Sequence, residues 1–312
     1  MEILLQLLLL VLGFVMLMKG ADWFVDGAAK IADRFGIPQL VIGLTIVAIG
    51  TSLPEAAVSL SAALRGSAEI TIGNVVGSNI LNTLVILGLT AVVRAISVQK
   101  STACYEIPFV IFITVLLAVL GLWDNQVSRA EGGILLVCLL LYMGYLLYMA
   151  KKGNIKQEAA EEGNTDSMIK LIVMVVIGIA LIAWGSDVTV DAATEIALFF
   201  KMDERFIGLT IVALGTSLPE LVTSVTAAVK GNSDIAMGNI VGSNIFNILF
   251  VVGATALITP VTYSPDFRID SIVAVAAVVL LLVCIVRKRK LTRGGGMLLL
   301  AGYVAYFVYL IR

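Results

Sequence analysis

Gly50-Thr51-Ser52-Leu53-Pro54-Glu55 recurs letter for letter as Gly215-Thr216-Ser217-Leu218-Pro219-Glu220, each copy inside a run that is otherwise almost wholly apolar. A carboxylate in such a run is costly unless something pairs with it, so two placed identically make a cation site the leading expectation. The repeat is much larger than six residues. At a constant offset of 165, Val41–Gly88 aligns with Phe206–Gly253 without a gap, and 28 of the 48 positions are identical. The offset extends back through Gly20/Gly185, Asp22/Asp187, Val25/Val190 and Asp26/Asp191, and similarity fades in the last third of each half. A duplicated chain is expected to fold as two copies of one unit.

Hydrophobic residues are 60% of the 312 and charged residues only 14%, and the mean hydropathy is +1.04. That composition excludes an ordinary soluble domain and places the chain in a bilayer, here a cell membrane. Met1-Glu2-Ile3-Leu4-Leu5 has no basic n-region, so the first apolar run reads as a membrane helix rather than a signal peptide. The net charge of −1 points to no partner and gives no reason to expect nucleic acid. Cys104, Cys138 and Cys284 lie in or beside apolar segments, where small-hydrophobe packing is expected and a disulfide framework is not. With no histidine and no phosphate-binding Gly-x-x-x-x-Gly-Lys-Ser/Thr loop, ATP-driven pumping and histidine proton relay both lack their usual residues. The expectation is a transporter without enzymatic activity or cofactor, driven by an ion gradient.

A hydrocarbon core of about 30 Å takes roughly 20 helical residues. Apolar runs of that order fall at about 3–33, 37–64, 70–93, 104–123, 131–150, 168–199, 204–229, 235–258, 268–286 and 294–311. The predicted fold is therefore an all-α membrane protein of ten transmembrane helices in two five-helix repeats, 1–150 and 168–312, joined by a polar linker at 151–167. Five is odd, so the second copy crosses in the opposite sense and the repeats have inverted topology. With the N-terminus outside, 14 of the 21 lysines and arginines fall on the cytoplasmic side and six outside, Lys19 being unassigned. That bias predicts both termini outside and the linker in the cytoplasm.

Pro54 has no N–H and its ring opposes the carbonyl of Gly50, so the second helix is expected to break near Gly50–Ser52, and Pro219 repeats this in the seventh. Freed carbonyls are tolerated in a membrane where they line a cavity. Beside them stand the hydroxyls of Thr51 and Ser52 and the carboxylate of Glu55, repeated as Thr216, Ser217 and Glu220. Such oxygens suit hard cations like Na+ and Ca2+. In the third helix Ser78 and Asn82 are i and i+4, on one face, as are Ser243 and Asn247 in the eighth. They read as further ligands, or alternatively as interhelical hydrogen-bonding residues. Gly73 with Gly77 and Gly238 with Gly242 read as close-packing devices. Asp22, Asp26, Asp187 and Asp191 read as solvated or capping, with lining of an ion entrance as the alternative.

At these residues the chain resembles the cation/calcium exchanger superfamily, most closely its prokaryotic sodium/calcium exchangers of the potassium-independent type. Gly-Thr-Ser-Leu-Pro-Glu and Gly-Asn-x-Val-Gly-Ser-Asn-Ile-x-Asn carry the resemblance in both α-repeats, at 41–88 and 206–253. It implies electrogenic antiport of Na+ against Ca2+ by alternating access, three Na+ per Ca2+, with the first and sixth helices sliding across the second, third, seventh and eighth. It also implies that Glu55 and Glu220 are the central Ca2+ ligands, assisted by Thr51 and Thr216, with Asn82 and Asn247 completing the middle. The Na+ sites would draw on the Ala48 carbonyl, Thr51, Ser52 and Ser78, and on the Ala213 carbonyl, Thr216, Ser217 and Ser243. The partners expected are Ca2+ and Na+ as substrates and the lipid bilayer, with no obligatory protein partner. A Ca2+/H+ exchanger and a K+-dependent Na+/Ca2+ exchanger are the alternatives within the class, and a passive cation channel the alternative outside it.

Overall fold

The apolar periodicity gives long helices, and the two longest set the frame. The computed structural model describes residues 2–65, 68, 70–156, 166–200 and 213–310. The helix α1 is Glu2–Phe35; α2, Gln39–Thr51, and α3, Leu53–Leu64, are the halves of one bent rod; α4 is Ile70–Val93 and α5 is Thr102–Asp124. Then come α6, Arg129–Lys156, α7, Met168–Phe199, α8, Ala213–Thr216, and α9, Leu218–Lys230. The chain continues through α10, Ser233–Ile258, α11, Phe267–Val286, and α12, Arg293–Leu310. Among the described residues eight helices are long and apolar enough to cross a membrane, and the bent pair α2–α3 makes a ninth. This is a multi-pass helical membrane protein. The start of the expected seventh segment, 204–212, lies outside the described residues, as does most of the linker.

The expected breaks are present. The rod α2–α3 bends by 48°, with Ser52 leaving helical geometry at φ −88 and ψ 8. Ser217 does the same between α8 and α9 at φ −92 and ψ 2. In both cases the proline sits in the first turn of the following helix, where its missing N–H costs nothing. The helix α6 runs to Lys156, six residues beyond the expected end at 150, because polar residues continue a helix that has already emerged from the apolar layer.

The helices α4 and α10 form the interior. In their most apolar windows 78% and 83% of residues are buried, against 17% and 22% in α1 and α7, which turn residues such as Leu8, Met18, Ile169 and Val176 outward. Large apolar side chains exposed on the outside of a helical membrane protein face lipid. The helices α1 and α7 run antiparallel in close contact, and glycine makes that possible. A Cβ on Gly20 would lie 2.9 Å from the Gly178 carbonyl oxygen, and one on Gly13 would lie 3.0 Å from that of Gly185. Close backbone approach of this kind is how membrane helices associate where no hydrophobic force drives them. The expected role of Gly238 and Gly242 holds in the same way: their Cβ positions fall 3.0 Å from Gly43 and 2.6 Å from Ala48. A Cβ on Gly73 would meet Phe267 at 3.5 Å, an ordinary contact, and one on Gly77 would meet nothing within 4 Å among the described residues, so the close packing expected of this pair is not seen there.

Two features were not expected. Two-residue strands stitch the halves together, β1, Ile96–Ser97, pairing antiparallel with β4, Lys290–Leu291, and β2, Gln126–Val127, with β3, Val261–Thr262. Each is too short to leave a period-two pattern in the sequence. In addition, π-helical turns at Leu81–Ile86 and Asn247–Val252 interrupt α4 and α10, and such turns gather at functional sites.

Candidate ion-binding site

The two breaks and the two interior helices converge on one cluster. Glu55 and Glu220 sit in the first turns of α3 and α9, and both are fully buried. Thr51, Ser52, Ser78, Asn82, Ser217, Ser243 and Asn247 are buried with them. Ser52 Oγ donates to Glu220 Oε1 at 2.8 Å, tying the break of one repeat to the carboxylate of the other. The hydroxyls of Thr51 and Ser243 also lie beside Glu220, and Ser78 lies beside Glu55. Thr216 is half-buried, and Ala213 opens α8 at the start of the described part of that segment. The Ala48 carbonyl accepts from Thr51 Oγ1 at 3.3 Å and from Ser243 Oγ at 3.4 Å.

The amide groups reveal how the site is built. Asn82 Nδ2 donates to Asn244 Oδ1 at 3.1 Å, and Asn247 Nδ2 donates to Asn79 Oδ1 at 3.1 Å. These are the same bond made twice, since 82 and 247, like 79 and 244, differ by the repeat offset of 165. Spending its N–H2 group outward leaves each amide with its carbonyl oxygen turned the other way. Interhelical bonding and oxygen presentation, set against each other in the sequence, are two ends of one side chain.

A second symmetric pair braces the carboxylates from behind. Asn74 Nδ2 donates to the Glu55 carbonyl at 3.1 Å and to Ser59 Oγ at 2.8 Å. Asn239 Nδ2 does the same to the Glu220 carbonyl at 3.4 Å and Ser224 Oγ at 2.9 Å. Asn239 Oδ1 also accepts from Thr51 Oγ1 at 2.9 Å. Asn74, Asn79, Asn239 and Asn244 stand in the repeated motif but received no role from the sequence. Their identity at equal offset in both copies is the signal that could have found them.

After these bonds, a set of buried oxygens remains without a donor: both carboxylate oxygens of Glu55, Oε2 of Glu220, Oδ1 of Asn82 and Asn247, and Oγ of Ser217. Among the described residues the ion pairs of lysine are all with Asp22, Asp26 and Asp166, and neither buried glutamate has a cationic side chain beside it. Two carboxylates without counter-ions in a low-dielectric interior are strongly destabilised unless a cation joins them. Carboxylate and amide oxygens numbering about six to eight are the ligand set of Ca2+.

The family described as sodium/calcium exchanger protein matches residues 5–150 and 170–312, nearly the whole chain. This chain belongs to that family. Inner membrane protein YrbG of Escherichia coli strain K12 is 38% identical over 286 residues, 86% of either chain. The sodium/calcium exchanger MaX1 of Methanosarcina acetivorans is 33% identical over 82% of this chain and 83% of its own. A solved structure of the sodium-calcium exchanger NCX_Mj superposes over 99% of both chains with a TM-score of 0.85 at 33% identity. In this family member Glu55 and Glu220, one from each repeat, are fully buried in one cluster joined by the Ser52–Glu220 hydrogen bond.

Among the described residues the roomier approach to the site lies on one side. A cavity of about 630 Å³ lies between α3 and α7, reaching Pro54 and Thr216 and bordered by Asp187 and Asp191. On the opposite side α1 is packed on α9, with Val222 against the cluster of Leu17, Ala21 and Val25. There Lys230 pairs with Asp26 at 2.7 Å and with Asp22 at 3.2 Å. All four aspartates are solvated as expected: Asp22 and Asp26 keep exposed side chains while paired with Lys230, and Asp187 and Asp191 are exposed on the border of the cavity.

Proposed function

We propose that the protein is a secondary antiporter exchanging Na+ for Ca2+ by alternating access, built as ten helices in two inverted five-helix repeats. The observation that carries this reading is the set of donor-less buried oxygens around Glu55 and Glu220. In it Ca2+ is held by the two glutamates, with oxygens of Thr51, Thr216, Asn82 and Asn247 filling the shell. Sodium ions take the flanking positions at the Ala48 carbonyl, Thr51, Ser52 and Ser78, and at the Ala213 carbonyl, Thr216, Ser217 and Ser243. Two fixed charges balance one Ca2+, so three Na+ moving against it carry one net charge across the membrane. The α3–α7 cavity is the open path, facing outside under the orientation with both termini outside and the linker cytoplasmic.

A second reading, Ca2+ against protons, draws on the same two glutamates, both buried with no cationic side chain beside them among the described residues. Without Ca2+, protonation is one way to remove uncompensated buried charge. Uptake of radioactive Ca2+ into proteoliposomes loaded in turn with Na+, K+, choline or acid buffer separates the two. Uptake confined to Na+-loaded vesicles supports Na+ exchange, uptake confined to acid-loaded vesicles supports proton exchange, and uptake independent of the internal ion overturns both.

A further inference from the structure

Lys230 ends α9 and grips α1 through Asp22 and Asp26. Subtracting the repeat offset of 165 maps Lys230 onto Arg65, at the end of α3, and maps Asp187 and Asp191 on α7 onto Asp22 and Asp26. The second copy therefore owns the same three charges. Among the described residues they are apart: no ion pair joins Arg65 to Asp187 or Asp191, and the α3–α7 cavity opens where the bond would close.

The packing follows the charges. Ala57 on α3 is exposed and lines the cavity, while its counterpart Val222 on α9 is packed against α1. Val190 on α7 borders the cavity, while its counterpart Val25 is fully buried. One side is zipped from the aspartates to the lysine, and the other is unzipped over the same span. An element with two arrangements, biased by a charge pair at each end, is what a two-state gate requires.

The geometry points to a pair of exchanging ionic latches: Lys230 with Asp22 and Asp26 holds one gate shut in this state, and Arg65 closing on Asp187 and Asp191 shuts the other as the first releases. This rests on the alternating-access reading above. The glycine contacts between α1 and α7 join the two aspartate pairs into one body, so that motion bringing α7 onto α3 draws α1 off α9. While the cavity is open, Asp187 and Asp191 are two negative charges on the route to the glutamates. Closing the latch offsets one of these two charges and so weakens their attraction for an incoming cation.

The test uses the full chain in membrane vesicles, with Cys104, Cys138 and Cys284 replaced by alanine. Ala57→Cys and Val222→Cys, each in its own preparation, are labelled with a membrane-impermeant thiol reagent applied from either side, and Ca2+ exchange is followed in the same vesicles. Ala57→Cys is expected to react fast and Val222→Cys slowly. Adding Lys230→Gln is expected to raise the Val222→Cys rate and lower the Ala57→Cys rate, moving their ratio about fivefold, and Arg65→Gln is expected to move it the other way. A ratio that stays put, or moves the same way in both variants, overturns the latches while exchange continues; absence of exchange in the cysteine-replaced parent overturns the alternating-access reading with them. A second variant does not depend on weakening the protein. Arg65→Cys with Asp187→Cys is expected to form a disulfide under mild oxidation that stops exchange until it is reduced, and an oxidised pair that stays unlinked in exchanging vesicles overturns the outer latch.

Discussion

Ser52 Oγ donates a 2.8 Å hydrogen bond to Glu220 Oε1, so a residue at the break of the first repeat positions the carboxylate of the second. The two helix breaks are one structure rather than two. Removing that donor by Ser52→Ala leaves a buried carboxylate oxygen unsatisfied. A hydrogen bond to a charged group contributes about 1.5–3 kcal/mol, so the Ca2+ concentration for half-maximal flux is expected to rise by roughly ten- to a hundredfold. A concentration series of Ca2+ flux checks this, and an unchanged half-maximal concentration would detach Ser52 from the site.

Asn79→Ala and Asn244→Ala are each expected to weaken Ca2+ flux although neither residue presents a free oxygen to the centre. Each holds the amide of its partner, Asn247 or Asn82, in one orientation. Loss of a buried partner costs about 1–3 kcal/mol. The double variant Asn79→Ala/Asn247→Ala should cost much less than the sum of its singles, because both remove the same bond. Full additivity in the flux measurement would show that the two residues act separately.

These asparagines also mark how far the sequence could be read. The duplication, the proline breaks and the two glutamates were legible because each rule is local: a proline four residues beyond a carbonyl, or a carboxylate inside an apolar run. The bond from Asn247 to Asn79 joins residues 168 apart, and no spacing rule along one helix announces it. The ion pairs of Lys230 were hidden for the same reason, and the one-sided cavity for another. Two repeats that share 28 of 48 positions in their central block predict a symmetric site, whereas a transporter in a single state is asymmetric, and that choice lies in packing rather than in residue identity.

Potassium should be dispensable. The resemblance to exchangers of the potassium-independent type implies this, and an additional carboxylate in place of Asn247 would suit an additional monovalent cation. Here Asn247 is neutral, as is Asn82 across from it. Replacing K+ by choline on both sides is expected to leave Na+-driven Ca2+ flux unchanged, and Asn247→Asp to alter its ion dependence. A strict K+ requirement in the unmodified protein would contradict this assignment.

The tie between α1 and α7 at the linker end should not respond to pH near neutrality. Hydrogen bonds from Lys170 and then Lys30 hold the Asp166 carboxyl down to about 2, from an ordinary value of 3.8. A depressed carboxyl stabilises the fold fully above its ordinary value and loses that contribution as pH falls through about 2. Asp166→Asn is therefore expected to lower the thermal midpoint slightly and equally across the neutral range, with the difference shrinking at high salt as exposed pairs are screened. A difference that grows on going from mildly acidic to neutral pH would point to another titrating group.

Under the proposed three-for-one exchange one net charge crosses per cycle, worth about 2.3 kcal/mol per 100 mV, so transport is expected to be electrogenic. Clamping proteoliposomes with K+ and valinomycin is expected to speed Ca2+ uptake when the inside is positive, because net charge then leaves with Na+, and to slow it when the inside is negative. Flux indifferent to the clamp would remove the uneven stoichiometry.

The central claim is that Glu55 and Glu220 together bind the transported Ca2+. Na+-gradient-driven uptake of radioactive Ca2+, compared among the unmodified protein, Glu55→Gln and Glu220→Gln at matched amounts of folded protein, tests it most directly. With one charge gone a divalent cation is left half-balanced in a low-dielectric site, a penalty of several kcal/mol. Both variants are predicted to insert and fold yet to show no uptake above empty liposomes, and near-normal uptake by either one would contradict the two-carboxylate site.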